Sequence, residues 1–209
     1  MKKIEIKQYG FPDAILYSYK YPKAEELNPI LHEVIINRTR NSDHPNNMGA
    51  LMSEPYDFTV KEFNIIVEYS KSVLHELKDA PYPYKPNPLK LVEVWWQYYK
   101  KDAYQISHYH SHSDWAFVYY VNTPEGSSPL VFDKSEKEVY SKEGEVVIFP
   151  GWLIHHVPPN QCDGRTVVSG NLSYEWSTWN EKVTGRMSSN DSRYSQTDSE
   201  GTGWMDKRK

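Results

Sequence analysis

Apolar positions along this chain follow one period in its first part and another from Leu89 onward. Within Glu25 to Arg40, Leu27, Ile30, Leu31, Val34 and Ile35 recur at helical spacing, which predicts an amphipathic helix after an opening strand in KIEIKQYG. A second helix is predicted behind Thr59 and Glu62, a capping-box pair, with Phe63, Ile66, Val67, Leu74 and Leu77 on its apolar stripe. Between the two lies NSDHPNNMGALMSEPYD, rich in Asn, Asp, Pro and Gly. The segment Asn41 to Tyr56 is long for a loop in a compact domain and is expected to act as a lid. APYPYKPNP, crowded with proline, must be extended.

From Leu89 the apolar runs shorten and turn β-rich: LVEVWWQYY, WAFVYYV, PLVF, EVVIFP and RTVVSGNLSYEW. Turn signals separate them in TPEGSSP, SKEG and NQCDG. Many short strands at this spacing predict a sandwich or barrel and exclude a parallel βαβ sheet. The fold expected is mainly β with N-terminal helices. Residues 1–88 would support the same domain, residues 89–180 would form its β core, and the Ser-rich residues 181–209 would be a flexible tail in which only Trp204 could dock.

Composition narrows the function. A length of 209 residues suits one domain, and a net charge of -4 with pI near 6.1 argues against general nucleic-acid or anionic-membrane binding. The single cysteine, Cys162, excludes an internal disulfide framework and fits a reducing compartment. MKKIEIKQYGFPDA has no apolar run behind its lysines, so no signal peptide is expected, and no segment is apolar enough to span a bilayer. We expect a cytoplasmic protein without membrane partners.

The histidines change this plain picture. Of 8 in the chain, His108, His110 and His112 stand at alternate positions in SHYHSHSDW, and His155 and His156 follow an apolar run in GEVVIFPGWLIHHV. In an extended segment His108, His110, His112 and Asp114 would share one face, with Trp115, Phe117 and Tyr119 on the other. Imidazole is a common ligand for Fe, Zn, Cu and Ni, and two at i, i+2 can hold one ion from a strand. One histidine from a second strand would complete a three-ligand face with open positions. His155 and His156 point opposite ways in extended backbone, so one of the two should bind. Ten residues after His155, Arg165 heads the last apolar strand, either as a solvated strand-end charge or as an inward, bidentate carboxylate clamp. His32, His44 and His75 lie at no useful spacing and read as surface or packed residues.

The order of these blocks resembles the 2-oxoglutarate/iron(II)-dependent oxygenases. It is closest to a small, often phage-encoded subgroup with the pattern H-x-H-(x)4-W-S-G-V-Y-Y-V, then G-x-L-V-I-F-P-S-W-L-x-H-x-V, then R-(x)5-N. Here the blocks read HYHSHSDWAFVYYV, GEVVIFPGWLIHHV and RTVVSGN, about residues 95–172. The resemblance implies a double-stranded β-helix, the jelly roll shared with cupins, and a dioxygenase using Fe(II), 2-oxoglutarate and O2 and releasing succinate and CO2. It assigns His108, His110 and His155 to the metal, Arg165 to the far carboxylate of 2-oxoglutarate, and Asn171 and Tyr120 to the same cofactor pocket. A phage-encoded relative would work in the host-cell cytoplasm. Two positions depart from the wider family. His110 stands where the superfamily has Asp or Glu, which leaves open a shifted site using His112 and Asp114. Ala116-Phe117 replaces Ser-Gly and would narrow the substrate pocket.

Two other readings fit part of the pattern. A cupin-type metal protein without 2-oxoglutarate would use His108, His110, Asp114 and His155, with Gly144 and Pro150 in its second motif and Asn160 one residue late, but would have little reason for an inward Arg165. A non-catalytic jelly-roll binding module would leave the histidines without a role. Tyr104 and Gln105, in the aromatic run before His108, are expected near the pocket mouth. The substrate class, a small molecule or a peptide, stays open.

Overall fold

The computed structural model describes residues 2–6, 14–38, 46–53, 60–76 and 88–175. The Thr59 half of the expected capping box, His44, the proline-rich segment up to Asn87, and the tail 181–209 lie outside these residues. Contacts divide the chain into two units, Met1–Tyr174, which holds all the described strands and helices, and Glu175–Lys209.

The elements run β1 (Lys2–Ile6), β2 (Ala14–Lys20), α1 (Ala24–Arg38), β3 (Asn47–Met48), β4 (Leu51–Met52), α2 (Lys61–Glu76), β5 (Leu89–Tyr99), β6 (Tyr104–His108) and β7 (Trp115–Asn122). They continue with β8 (Leu130–Phe132), β9 (Lys137–Val139), β10 (Glu145–Pro150), β11 (His155–Val157) and β12 (Arg165–Tyr174). One sheet has the order β1-β2-β10-β7-β12-β5-β4 and the other β3-β6-β11-β8-β9. Every pairing within them is antiparallel. From β5 on, the chain passes repeatedly between the sheets: β5, β7, β10 and β12 lie in the larger, β6, β8, β9 and β11 in the smaller.

Both helices form as their periodicity predicts. α1 carries Glu25 and Glu26 in its first turn and Arg38 in its last, which suits the helix dipole. It buries Leu27, Leu31 and Ile35, while α2 buries Phe63, Ile66, Val67 and Leu74. Ile30 of the expected stripe instead faces solvent. These side chains pack with Trp96, Trp115, Phe117, Tyr119 and Ile148 from the outer face of the larger sheet. Each such full burial contributes about 1.5–3 kcal/mol relative to exposure. The inner face presents the alternate residues Tyr99, Ala116, Val118, Tyr120 and Val167 to Leu130, Phe132 and Val157 of the smaller sheet. The fold therefore has helices on one side of a large sheet and a second sheet on the other, with the inner strand faces available for a site.

Strands run further into the first half of the chain than its pattern suggests. The first 88 residues are more than helical support: β2 and β4 extend the larger sheet and β3 the smaller one. The lid expected over 41–56 contains the short strands β3 and β4, with Asn47 Nδ2 donating to Ala50 O at 2.6 Å across their turn. No helix among the described residues is long and apolar enough to cross a membrane.

Candidate metal centre

The segment expected as one extended strand breaks after His108. β6 ends there, residues 109–114 turn, and β7 begins at Trp115. The turn is pinned to the end of β10 by His110 N donating to Gly151 O at 2.7 Å and Gly151 N donating to Asp114 O at 3.0 Å. Only glycine fits at this crossing: a Cβ on residue 151 would lie 2.3 Å from Ser113 O and 2.9 Å from His110 O. Pinned in this way, His110 faces back toward the strand that carries His108.

His155 on β11 is the direct cross-strand partner of His108 on β6. The ring centroids of His108 and His155 are 4.4 Å apart, and His110 lies 5.2 Å from each. The ligand atoms of the three rings fall within 4.8 Å of one another, and they form the one such cluster among the described residues. His108 Nδ1 is 2.8 Å from Ile106 O, and His155 Nδ1 is 2.7 Å from Leu153 O. A proton on Nδ1 satisfies each carbonyl and leaves Nε2 with its lone pair directed inward, as a metal requires. Burial, and then the neighbouring His108 and His110, hold the pKa of His155 well below the usual imidazole value, so this ring is neutral and ready to ligate. Phe149 meets it edge-on at 4.8 Å and closes the apolar side.

His112 and Asp114 stand outside the cluster. With the backbone turning, the alternation that would have aligned them with His108 is lost. Asp114 Oδ2 accepts from Tyr174 N at 2.8 Å, and the half-exposed His112 has its Nε2 3.2 Å from Glu93 Oε2. His156 points away from the cluster, with Nδ1 2.7 Å from Asp133 Oδ1. Partial burial works against ionisation of Asp133, but hydrogen bonds from Ser107 and His156 outweigh it and lower its pKa. Asn160, the candidate for a cupin motif, is fully buried in a loop knot where Oδ1 accepts from Ser128 N at 2.9 Å.

The three histidines share a pocket with Gln97, Gln105, Ser169 and Arg165; its cavity volume of about 20 Å³ is small against the roughly 300–1,000 Å³ of ligand cavities, so side chains have to shift to admit a co-substrate. Arg165 is 1% exposed. Its Nε donates to Ser128 O at 3.1 Å, and its guanidinium carbon lies 4.5 Å from the Tyr99 ring centroid and 5.5 Å from that of Tyr120. Nη1 is buried with no hydrogen-bond partner, and no ion pair to Arg165 is found among the described residues. Burial pushes the Tyr99 pKa up to about 12 despite the adjacent cation, and raises that of Tyr120, so both rings stay neutral. A buried guanidinium without a counter-charge costs several kcal/mol, which a bound anion would offset. Ala116 and Phe117, expected to narrow the pocket, both line it, with the Phe117 ring packed into the helix-side core against Gly170.

Asn171 reaches the site at the other end of β12. It is fully buried, with Nδ2 donating to Glu93 Oε2 at 2.8 Å and lying 3.3 Å from His110 Nδ1. The sequence reading did not single out Glu93, Trp95 or Gln97, yet Trp95 and Gln97 line the pocket. The period-two spacing of Glu93, Trp95, Gln97 and Tyr99 on β5, with two polar side chains inside an apolar run, was the available signal.

No family profile matches the chain, and no curated protein is significantly similar to it in sequence. Solved structures do match in three dimensions. The viral collagen prolyl hydroxylase of Paramecium bursaria Chlorella virus-1, in complex with 2-oxoglutarate, superposes with a TM-score of 0.58 at 14% identity, over 75% of this chain and 95% of its own. A Pseudomonas putida prolyl-4-hydroxylase gives 0.57 at 15% identity, over 77% and 92%. HygX from Streptomyces hygroscopicus, with nickel and 2-oxoglutarate bound, gives 0.55 at 11% identity, over 77% and 83%. The chain shares their fold. At these identities the likeness concerns the fold, and chemistry has to be argued from the site.

Proposed function

We propose that this chain is a non-haem Fe(II)- and 2-oxoglutarate-dependent oxygenase built on a double-stranded β-helix, with His108, His110 and His155 as the metal ligands and Arg165 as the clamp for the co-substrate. One observation carries the reading: a buried arginine with a partnerless Nη1 opens into the same pocket as three clustered histidines. The donor set fits a borderline transition metal, since three neutral imidazoles on one side leave coordination positions open. A planar guanidinium, stacked on Tyr99 and held by Ser128 O, suits a carboxylate in a way that a lysine would not. The likeness in fold to enzymes solved with 2-oxoglutarate supports the assignment.

When bound, Fe(II) with 2-oxoglutarate and O2 supplies an oxidative decarboxylation, yielding succinate and CO2, that is coupled to hydroxylation of a substrate. The protein's part is to place and to shield. His108 and His155 are fixed by the carbonyls behind their Nδ1 atoms, and His110 by its backbone bond to Gly151. Arg165 orients the far carboxylate of the co-substrate, with Tyr120 beside it and Asn171 at the histidine end. Leu130, Phe149, Val157 and Val167 exclude water from the cavity wall. The substrate is a small molecule or a peptide reaching the exposed side of β6, where Tyr104 and Ile106 face solvent.

The test is anaerobic. Fe(II) is added to the protein, then 2-oxoglutarate, and the visible charge-transfer band of the chelate is followed in wild type and in Arg165→Ala. A band in wild type that is lost in the variant supports the reading. Iron binding without a band would return the site to a cupin-like metal protein, and no iron binding would leave a binding module.

A further inference from the structure

The cluster of His108, His110 and His155 contains no acid, although the pocket has to balance more than a metal. A divalent ion and Arg165 bring three positive charges, and a dicarboxylate such as 2-oxoglutarate brings two negative ones. One positive charge remains. It would be absent if a carboxylate stood at position 110, and burying it uncompensated is costly.

The structure places a carboxylate one side chain further out. Glu93 has a side chain only 17% exposed. It faces Asn171 across the β5–β12 ladder, immediately beside an irregularity where Asn171 pairs with Glu93 but Leu172 pairs with Leu91, leaving Val92 unmatched. Such a bulge re-aims the side chains around it, here bringing Glu93 to the end of the ladder that borders the histidines. Glu93 Oε2 accepts from Asn171 Nδ2 at 2.8 Å, and the same nitrogen lies 3.3 Å from His110 Nδ1. His112 Nε2 lies 3.2 Å from that carboxylate oxygen on the solvent side. Asn171 Oδ1 is buried with no partner, so the amide is held by what its nitrogen touches. The carboxamide thus stands between the acid and His110; with the His110 proton on Nδ1, as ligation through Nε2 requires, the 3.3 Å approach is a packing contact that holds the ring and not a hydrogen bond.

We propose that Glu93 is a positioning residue for the metal centre: acting through Asn171, it fixes the His110 ring and supplies the negative charge that the three-histidine ligand set lacks. The inference rests on the metal-centre reading above. Outer partners of ligating histidines typically change metal affinity by about 10–100-fold, and Glu93→Gln, which keeps the shape but removes the charge, is expected to fall in that range.

Co(II) serves as the probe, since its visible d–d spectrum reports both affinity and ligand geometry without turnover. Wild type, Glu93→Gln, and the double variant Glu93→Gln/His110→Asp are titrated with Co(II), and apo melting temperatures confirm that each is folded. The expected result is weaker Co(II) binding in Glu93→Gln and recovery toward wild-type affinity in the double variant, where the charge has been moved onto the metal. Because an anionic ligand strengthens binding by itself, His110→Asp is also titrated with Glu93 intact; a larger gain in the Glu93→Gln background is expected, and a purely structural role for Glu93 would give equal gains in both. Wild-type affinity in Glu93→Gln, or a double variant that binds no better than the single, overturns the proposal and leaves the three-histidine centre standing. Wild type that binds no Co(II) overturns the metal-centre reading itself, and this proposal with it.

Discussion

Replacing Arg165 by methionine should produce opposite effects on two measurements. The guanidinium is 1% exposed, with Nε bonded to Ser128 O, its face on Tyr99, and Nη1 without a partner. In the unliganded protein, substitution removes an uncompensated buried cation and keeps most of the apolar volume, so stability should hold or rise. In the liganded protein it removes one half of a desolvated charge pair. Truncating such a pair costs roughly 2–5 kcal/mol, and at about 1.4 kcal/mol per decade this is a loss of roughly 30- to 4,000-fold in affinity for 2-oxoglutarate. The assay is thermal melting of the Co(II)-loaded protein with and without 2-oxoglutarate. At 100 times the dissociation constant a ligand stabilises the folded state by about 2.7 kcal/mol, and for a domain of this size each kcal/mol moves the midpoint by about 2–4 °C. Wild type should therefore gain about 5–11 °C and Arg165→Met no more than about 2–4 °C at the same concentration. An equal gain in both proteins would refute the clamp. A variant that melts far below wild type without ligand would show that Arg165 is structural.

Three further outcomes follow from the geometry. His155→Ala should abolish Co(II) binding, whereas His156→Ala, which removes only the partner of Asp133, should retain it; titration of the visible d–d spectrum decides, and the reverse result would move the ligand by one residue. Gly151→Ala forces a Cβ to within 2.3 Å of Ser113 O, so unfolding experiments should show a loss of about 1–3 kcal/mol together with weaker metal binding, while Trp152→Ala at the exposed neighbour should leave stability nearly unchanged. His155 is neutral in the fold, with its pKa depressed by burial first, so below about pH 6.5 the unfolded chain takes up a proton that the native apo protein does not. Denaturant titrations of apo protein should show stability present above that pH and falling below it by up to about 1.4 kcal/mol per unit until the native ring also protonates, and His155→Ala should flatten this slope.

Some of this was legible from the chain and some was not, for physical reasons. The two helices are amphipathic and local, so periodicity alone placed them, and the β-rich second half gave strands close to the observed β5, β7, β10 and β12. β2 escaped because it is buried on both faces, with Leu16, Tyr17, Ser18 and Tyr19 all covered, so it shows no alternation. β3 and β4 escaped because two-residue strands carry no period at all; their pairing is decided by β6 and β5. At the site, the pairing of His108 with His155 is a matter of register between β6 and β11, which no local pattern encodes. The reading of residues 108–114 as a single strand failed at Gly151, some forty residues away, because that glycine lets the turn fold against β10.

The same distance in sequence explains the division of labour between the sheets. His108 and His155 come from β6 and β11 of the smaller sheet, while Arg165, Asn171 and Glu93 come from β12 and β5 of the larger. The ladder between β6 and β11 is short, whereas β12 pairs with β5 from Arg165 to Tyr174, interrupted by one bulge between Asn171 and Leu172. The groups proposed to bind the anion and to compensate charge therefore sit on the longer-laddered, helix-backed layer, and two of the three proposed metal ligands sit on the layer with fewer backbone hydrogen bonds. A metal bridging His108, His110 and His155 would tie β6 to β11 and both to the turn after β6, adding connections where the backbone supplies fewest. On this argument, such a metal would make its own loading and the docking of the smaller sheet one coupled equilibrium, with the larger sheet as the frame on which Arg165, Asn171 and Glu93 are held.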